Sequence, residues 1–118
     1  MFSYKKLIVY QKAKALVILT YDVTSSYPKS ELFGLVSQMR RAAVSVASNI
    51  VEGYVKQSSK EYSRFLLISI GSLTELEIQV ELSKELNFIK PTQYDKISSL
   101  IDEVGKLLYS TQKSISKK

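Results

Sequence analysis

The sequence predicts an all-α protein, an antiparallel up-down-up-down four-helix bundle. Apolar residues recur at steps of three and four in four separate segments, which is the period of one helix face. The breaks between these segments are only about three to six residues long, so consecutive helices are expected to run antiparallel. No strand-like alternation and no internal repeat interrupts the pattern over the 118 residues. We therefore expect one domain, residues 1–118.

The first helix is expected over residues 6–26. Its end is indicated by Tyr27-Pro28, because a residue that precedes proline avoids the helical region of backbone conformation. The core-facing seam consists of Val9, Ala13, Leu16, Thr20 and Val23.

The second helix is expected over residues 31–53 and has an unusual seam of mostly small residues. Asn49 and Gly53 occupy positions where a bundle ordinarily has leucine. Gly53 is interpreted as the residue that ends the helix, since glycine is favoured there. The full seam consists of Leu32, Leu35, Met39, Ala42, Val46, Asn49 and Gly53.

The third helix is expected over residues 59–87 and opens with a capping box. In such a box Ser58 and Glu61 each accept a hydrogen bond from the other's free backbone amide. The seam that follows consists of Tyr62, Leu66, Ser69, Leu73, Leu76 and Val80.

The fourth helix is expected over residues 92–114, directly after Pro91. Its seam consists of Tyr94, Ile97, Ile101, Val104 and Leu108. The longest purely apolar run, residues 15–19, is far shorter than the roughly 20 residues of a membrane span. No small-residue cleavage site follows the basic start, so a signal peptide is not expected. A cytoplasmic protein that does not bind membranes is predicted.

The two middle helices are expected to pair around a turn at residues 56–58, so that positions whose numbers sum to about 116 lie opposite each other. Arg41 then faces Glu75, and we predict an ion pair between them with hydroxyl support from Ser45 or Ser72. Such a pair specifies register at least as much as it stabilises, because desolvation offsets most of its attraction. The predicted structural polar cluster consists of Arg41, Ser45, Asn49, Glu52, Ser72 and Glu75.

The composition excludes several kinds of catalytic site. The chain has no cysteine and no histidine, so disulfides, zinc–cysteine sites, Ser-His-Asp triads and histidine-containing di-iron sites cannot form. Glu77, Glu81 and Glu85 share one helix face, which rarely wraps a cation and is interpreted as a solvated face. The sequence predicts a protein that is not an enzyme, with no cofactor, no metal and no evident small-molecule substrate.

The net charge of +6 is concentrated in the first half of the chain: residues 1–64 hold ten Lys and Arg against four Asp and Glu, whereas residues 65–118 hold seven of each. In an up-down-up-down bundle the N-terminus, the turn at 56–58 and the C-terminus share one end. Cations beside tyrosines suit phosphate contact and base stacking. The alternative is a solvated bundle end with tyrosines that cap the core. The candidate nucleic-acid-binding residues are Lys5, Lys6, Lys56, Lys60 and Arg64, near Tyr4, Tyr54, Tyr62, Lys113, Lys117 and Lys118.

Two further lines of apolar residues lie off the expected seams. A helix that is apolar on more than one face is buried by several neighbours or by another subunit. From the residues alone, a wide core and an oligomer interface are equally good explanations. The candidate interface residues are Val36, Ala43 and Ile50 on the second helix and Leu67, Ile70 and Ile78 on the third.

Four stretches together resemble a known family: LIVYQKA at 7–13, PKSELFGL at 28–35, QMRRAAVSVASNIVEG at 38–53 and GSLTELE at 71–77. They are similar to the bacterial four-helix bundle proteins encoded within intervening sequences of 23S ribosomal RNA genes, the S23 family. Many relatives carry tryptophan where this chain has Tyr10, which keeps an aromatic ring there. The family has no established enzymatic activity.

The S23 family in turn resembles the accessory variability determinant of diversity-generating retroelements, a basic homopentameric bundle that binds nucleic acid. The resemblance implies a four-helix bundle and a ring-like homo-oligomer such as a pentamer. It also implies association with RNA or DNA, in a process close to ribosomal RNA processing. It also favours the interface interpretation of the two apolar lines. The alternative is a structural or adaptor homo-oligomer that mediates protein–protein interaction without nucleic-acid binding.

Overall fold

The computed structural model describes residues 3–117 and contains four long helices: α1 (Ile8–Thr24), α2 (Ser37–Val55), α3 (Ser59–Glu85) and α4 (Pro91–Ser116). Each helix packs against its neighbours in sequence, and α4 also packs against α1. The particle measures 45 × 22 × 21 Å. The predicted all-α up-down-up-down bundle is confirmed.

The start of α2 differs most from the expected boundaries. Residues 29–36, of which the second helix was expected to include 31–36, instead form a 3-10 turn (Lys29–Glu31) and a π-helical turn (Leu32–Val36). The backbone of Gly34 departs from helical geometry, with φ −111° and ψ −111°, so regular helix begins only at Ser37. At the first helix, a 3-10 turn (Tyr4–Lys6) and the extended Leu7 precede α1.

Most residues of the predicted seams lie in the core, but Leu32 is 48% exposed because it belongs to the π-helical turn before α2. Among the fully buried residues of the core are Leu16 on α1, Met39 on α2, Leu66 on α3 and Ile97 on α4. Polar seam positions are satisfied locally or across helices. For example, the buried Thr20 hydroxyl donates to the Leu16 carbonyl at 2.7 Å.

Half of the predicted oligomer interface belongs to this core. Val36, Ala43 and Ile50 are 3%, 0% and 0% exposed, so they cannot contact another subunit. The reason is that α2 packs against both α1 and α3 and needs two apolar lines for two neighbours. The α3 members of that prediction differ: Leu67 and Ile78 are both 52% exposed, and Ile70 is half-buried.

Gly53 has a different role from the predicted one. Helix α2 continues to Val55, and Gly53 is buried inside it. A Cβ at this position would lie 2.6 Å from the Cβ of Phe65 and 3.3 Å from the Cα of Tyr62. The missing side chain therefore allows α2 and α3 to approach closely near their connecting turn.

Within residues 3–117, no helix is long and apolar enough to cross a membrane.

Candidate nucleic-acid interface

One end of the bundle gathers the turn Tyr4–Lys6, the end of α2, the start of α3 and the end of α4. Its cavity of about 940 Å³ is lined from all four segments, among others by Tyr4, Tyr54, Tyr62 and Ile115. The Gln112 side-chain amide donates to the Ser63 hydroxyl at 3.0 Å, which ties the end of α4 to the start of α3. We call this end, with Lys5, Lys6, Lys56, Lys60 and Arg64, the basic pole. Lys118 lies outside the described residues.

The four lysines of the basic pole form no ion pair within the described residues, although Lys56 and Lys60 lie close enough to Glu61 to help lower the pKa of its carboxyl. All four side chains are exposed. Within the described part of the chain, the ion pairs are Lys12–Glu103, Arg64–Glu61 and Lys106–Asp102, and none includes a lysine of the pole. The Lys56 ammonium lies 5.5 Å from the centre of the Phe65 ring. Because the Lys56 side chain is exposed, the ammonium is still accessible to an anion.

Arg64 differs from the lysines because it already has an anionic partner. Its Nε and one terminal nitrogen donate to the two carboxylate oxygens of Glu61 at 2.9 and 3.2 Å. This hydrogen-bonded pair lowers the pKa of Glu61 and raises the pKa of Arg64. The guanidinium also lies 4.6 Å from the centre of the Phe65 ring. A phosphate would have to compete with Glu61 for Arg64.

The tyrosines of the pole pack against one another and against the core. The rings of Tyr54 and Tyr62 are 5.6 Å apart and nearly perpendicular, and Tyr4 meets Tyr10 in the same way at 5.1 Å. The pKa of Tyr62 is raised, mainly by burial and to a smaller extent by the neighbouring Tyr54. Tyr62 packs against the hydrophobic core, as in the core-capping alternative.

The turn at 56–58 places the lysines of the pole. Gln57 adopts a left-handed backbone with φ 55°, which reverses the chain between α2 and α3. The Ser58 hydroxyl then accepts from the Glu61 backbone amide at 3.3 Å and starts α3. The carboxylate of Glu61 binds Arg64 instead of closing the predicted capping box, because a guanidinium is the stronger, charge-assisted donor.

The middle helices meet near the predicted register. Tyr54 contacts Tyr62, and the Ser45 and Ser72 hydroxyls lie 2.9 Å apart. The Asn49 side-chain amide donates to the Ser45 carbonyl at 2.8 Å and to its hydroxyl at 3.0 Å. Three residues of the predicted polar cluster therefore lie together.

The other three residues of that cluster do not join it. Arg41, Glu52 and Glu75 are exposed, and the predicted Arg41–Glu75 ion pair is wrong: across residues 3–117 neither side chain has an oppositely charged group within 4 Å. Arg41 and Glu75 lie at about the same level of the bundle, but both occupy outward-facing positions of their helices. Their charged groups therefore do not meet.

The carboxylates of α3 lie on its solvent-facing side. Glu77, Glu81 and Glu85 are exposed, and the part of the chain that the structure describes has no group of three acidic side chains able to hold a metal ion.

The fold and the basic pole define a class, a small all-helical bundle with a polar seam between its middle helices. Residues 5–110 match the family described as 23S rRNA-intervening sequence protein, and the chain belongs to that family.

A solved structure is similar to most of the chain. It is the crystal structure at 1.70 Å of a protein with unknown function from the S23 ribosomal protein family of Bacteroides thetaiotaomicron VPI-5482, with 26% identity and a TM-score of 0.80. The similarity covers 90% of this chain and 99% of that one. No curated protein matches the chain. The relation to the accessory variability determinant stays a prediction.

Proposed function

We propose that this protein is a non-enzymatic, cytoplasmic, homo-oligomeric bundle that associates with RNA or DNA through its basic pole. The observation that carries the proposal is the set of four exposed lysines with no carboxylate within 4 Å in residues 3–117: Lys5, Lys6, Lys56 and Lys60. Each phosphate that such a lysine neutralises releases counterions, which drives binding at low salt.

The test is binding of a labelled single-stranded RNA and a structured RNA hairpin, measured by fluorescence anisotropy over a salt series. Four phosphate contacts predict a slope of log affinity against log salt near −3 for single-stranded RNA. The variant K56E/K60E should bind at least about tenfold more weakly and with a shallower slope, since each lysine lost removes about 0.7 unit of slope on single-stranded RNA.

The matched control is K29E/K96E, which changes the net charge equally. Lys29 lies between α1 and α2 and Lys96 near the start of α4, at the opposite end of the bundle, and both are exposed. This variant should stay within about threefold of the parent, because charges beyond a Debye length are largely screened. Equal losses in both variants, or no binding at low salt, would refute the proposal.

The second candidate is a structural or adaptor homo-oligomer that binds no nucleic acid. It is favoured by the large apolar side chains on the surface of the single chain, above all Phe33, which is 94% exposed. Isolated exposed apolar residues are common, but a contiguous group marks an interaction surface. Self-association without RNA binding at low salt would support this candidate.

A further inference from the structure

Helix α3 carries a second seam on its solvent side, distinct from the one in the core. Ile68, Gly71, Glu75, Ile78 and Leu82 follow one another at alternating steps of three and four, the repeat of a helix that packs along another helix. Ile68, Ile78 and Leu82 are 40%, 52% and 48% exposed. A Cβ on Gly71 would meet nothing within 4 Å. We call these five residues the outer seam.

On a different side of the bundle, an apolar groove follows the junction of α1 and α2. Two adjoining cavities of about 640 and 500 Å³ share Val44 as a wall. Ile18, Tyr21 and Phe33 line these cavities and are 62%, 44% and 94% exposed. We call this surface, lined by Val17, Ile18, Tyr21, Phe33, Val44 and Ala47, the α1–α2 groove.

The groove also carries two arginines without an anionic partner. Arg40 and Arg41 line its larger cavity, and neither has a carboxylate within 4 Å among residues 3–117. Arg40 is held in place because its Nε donates to the Thr24 hydroxyl at 3.0 Å and its guanidinium lies 4.5 Å over the Tyr21 ring. Arg41 is exposed. The larger cavity therefore favours an occupant that is apolar and negatively charged, whereas the smaller cavity is lined by both Lys14 and Glu52.

The outer seam of α3 has this chemistry. Glu75 lies at its centre, exposed and without an ion-pair partner in the described chain, and apolar side chains flank it on both sides. The seam and the groove lie on different parts of the surface, so one copy cannot join them within itself. A contact between two copies is heterologous, and such head-to-tail contacts generate rings when the rotation closes.

The levels of the two surfaces along the bundle agree with this contact. Because α2 and α3 pair antiparallel near the predicted register, Arg41 and Glu75 lie at about the same level of one chain. A symmetry axis parallel to the helices moves every residue sideways and keeps its level. In the neighbouring copy, Glu75 then remains level with Arg41.

We propose that the outer seam of α3 docks into the α1–α2 groove of a second copy, with Glu75 paired to Arg41 across the contact. This inference rests on the homo-oligomeric part of the proposed function and identifies its contact surface. The Arg41–Glu75 ion pair, which does not form within one chain, would then form between two chains.

Reciprocal charge reversal tests the contact. Sedimentation velocity over about 1–100 μM compares the parent chain with R41E, E75R and the double variant R41E/E75R, and with E81R as the control. Glu81 is an exposed residue of α3 outside the outer seam. Each single reversal places like charges together, so it should weaken self-association at least about tenfold. The double variant should recover to within about threefold, because the pair is restored with opposite polarity.

Several results would overturn the proposal. These are a parent chain that sediments as a 13.4 kDa monomer throughout, single reversals that behave like E81R, or a double variant that fails to recover. Helical circular dichroism of each variant separates lost contact from lost folding. RNA anisotropy on the same samples keeps the proposals apart, since the basic pole is intact in every variant. If the parent chain does not bind RNA but the double variant recovers self-association, only the nucleic-acid proposal is refuted.

Discussion

The tight contact between α2 and α3 at Gly53 yields the sharpest stability prediction, the substitution Gly53→Ala. The added Cβ would lie 2.6 Å from the Cβ of Phe65, whereas carbon atoms pack best at about 3.5–4.0 Å. The neighbour is the first atom of a side chain, so a rotamer change cannot relieve the clash. The helices must instead separate by about 1 Å. Overpacking of this kind costs about 1–3 kcal/mol.

A gain in helix propensity opposes this cost, and a control variant measures it. Replacing glycine by alanine inside a helix is favourable by about 1 kcal/mol. Gly71→Ala has the same propensity gain without the clash, because its Cβ meets nothing within 4 Å. Gly105→Ala is a second control outside the outer seam, where the nearest atom is a flexible methyl end of Leu73 at 3.4 Å. We expect both controls to be stabilised by about 0.5–1 kcal/mol.

Urea unfolding followed by circular dichroism gives the comparison. Gly53→Ala should be less stable than Gly71→Ala by about 1–3 kcal/mol, which is of the order of 3–15 °C in the melting temperature of a domain of this size. Protein concentrations should be varied, so that self-association does not enter the difference. Equal stability of Gly53→Ala and the two controls would refute the view that this glycine sets the helix spacing.

Two further predictions concern the seam and the pole. Ser45→Ala removes the hydroxyl that contacts Ser72 and that accepts a hydrogen bond from Asn49, so it should lower the free energy of unfolding in urea by about 1–2 kcal/mol. The exposed control Ser48→Ala should change it by no more than about 0.5 kcal/mol. Equal effects of the two substitutions would contradict the role of this cluster. The pKa of Tyr62 is raised by burial above the ordinary 10.0, so the stability it contributes is fully present below pH 10 and is lost as the pH rises through the folded-state value. Tyr62→Phe should therefore flatten the loss of stability measured above about pH 10, and an unchanged slope there would reject this cause.

Local signals in the sequence were sufficient to predict four helices and most of their inward-facing residues. Ser58 starts α3 as expected, because an N-cap depends on residues within one turn. The Glu61 carboxylate could accept a hydrogen bond from the Ser58 backbone amide or from Arg64, and it accepts from Arg64. Residue spacing does not show which of these two donors is the stronger. The start of α2 was misplaced because the departure at Gly34 breaks a pattern whose apolar spacing continues through it.

The candidate surfaces were harder to predict because they depend on neighbours that are distant in sequence. Ala43 and Ile50 form an apolar line that either a neighbouring helix or another subunit could cover, and only the bundle geometry shows that they are buried within the single chain. Gly53 looked like a helix end, since the sequence does not reveal that Phe65 lies against it. The Arg41–Glu75 pairing failed because register fixes the level of a residue but not the direction in which its side chain leaves the helix.

The alternation of helix direction has a consequence for how this family can diverge. At the basic pole two helices begin, α1 and α3, and two end, α2 and α4. A helix start carries a partial positive charge of about +0.5 and a helix end about −0.5, so the backbone contributions to the electric field there largely cancel. The sign of the potential at this end is thus set by a few surface side chains alone. Substitutions at those positions can reverse the sign of this potential while the scaffold beneath stays the same.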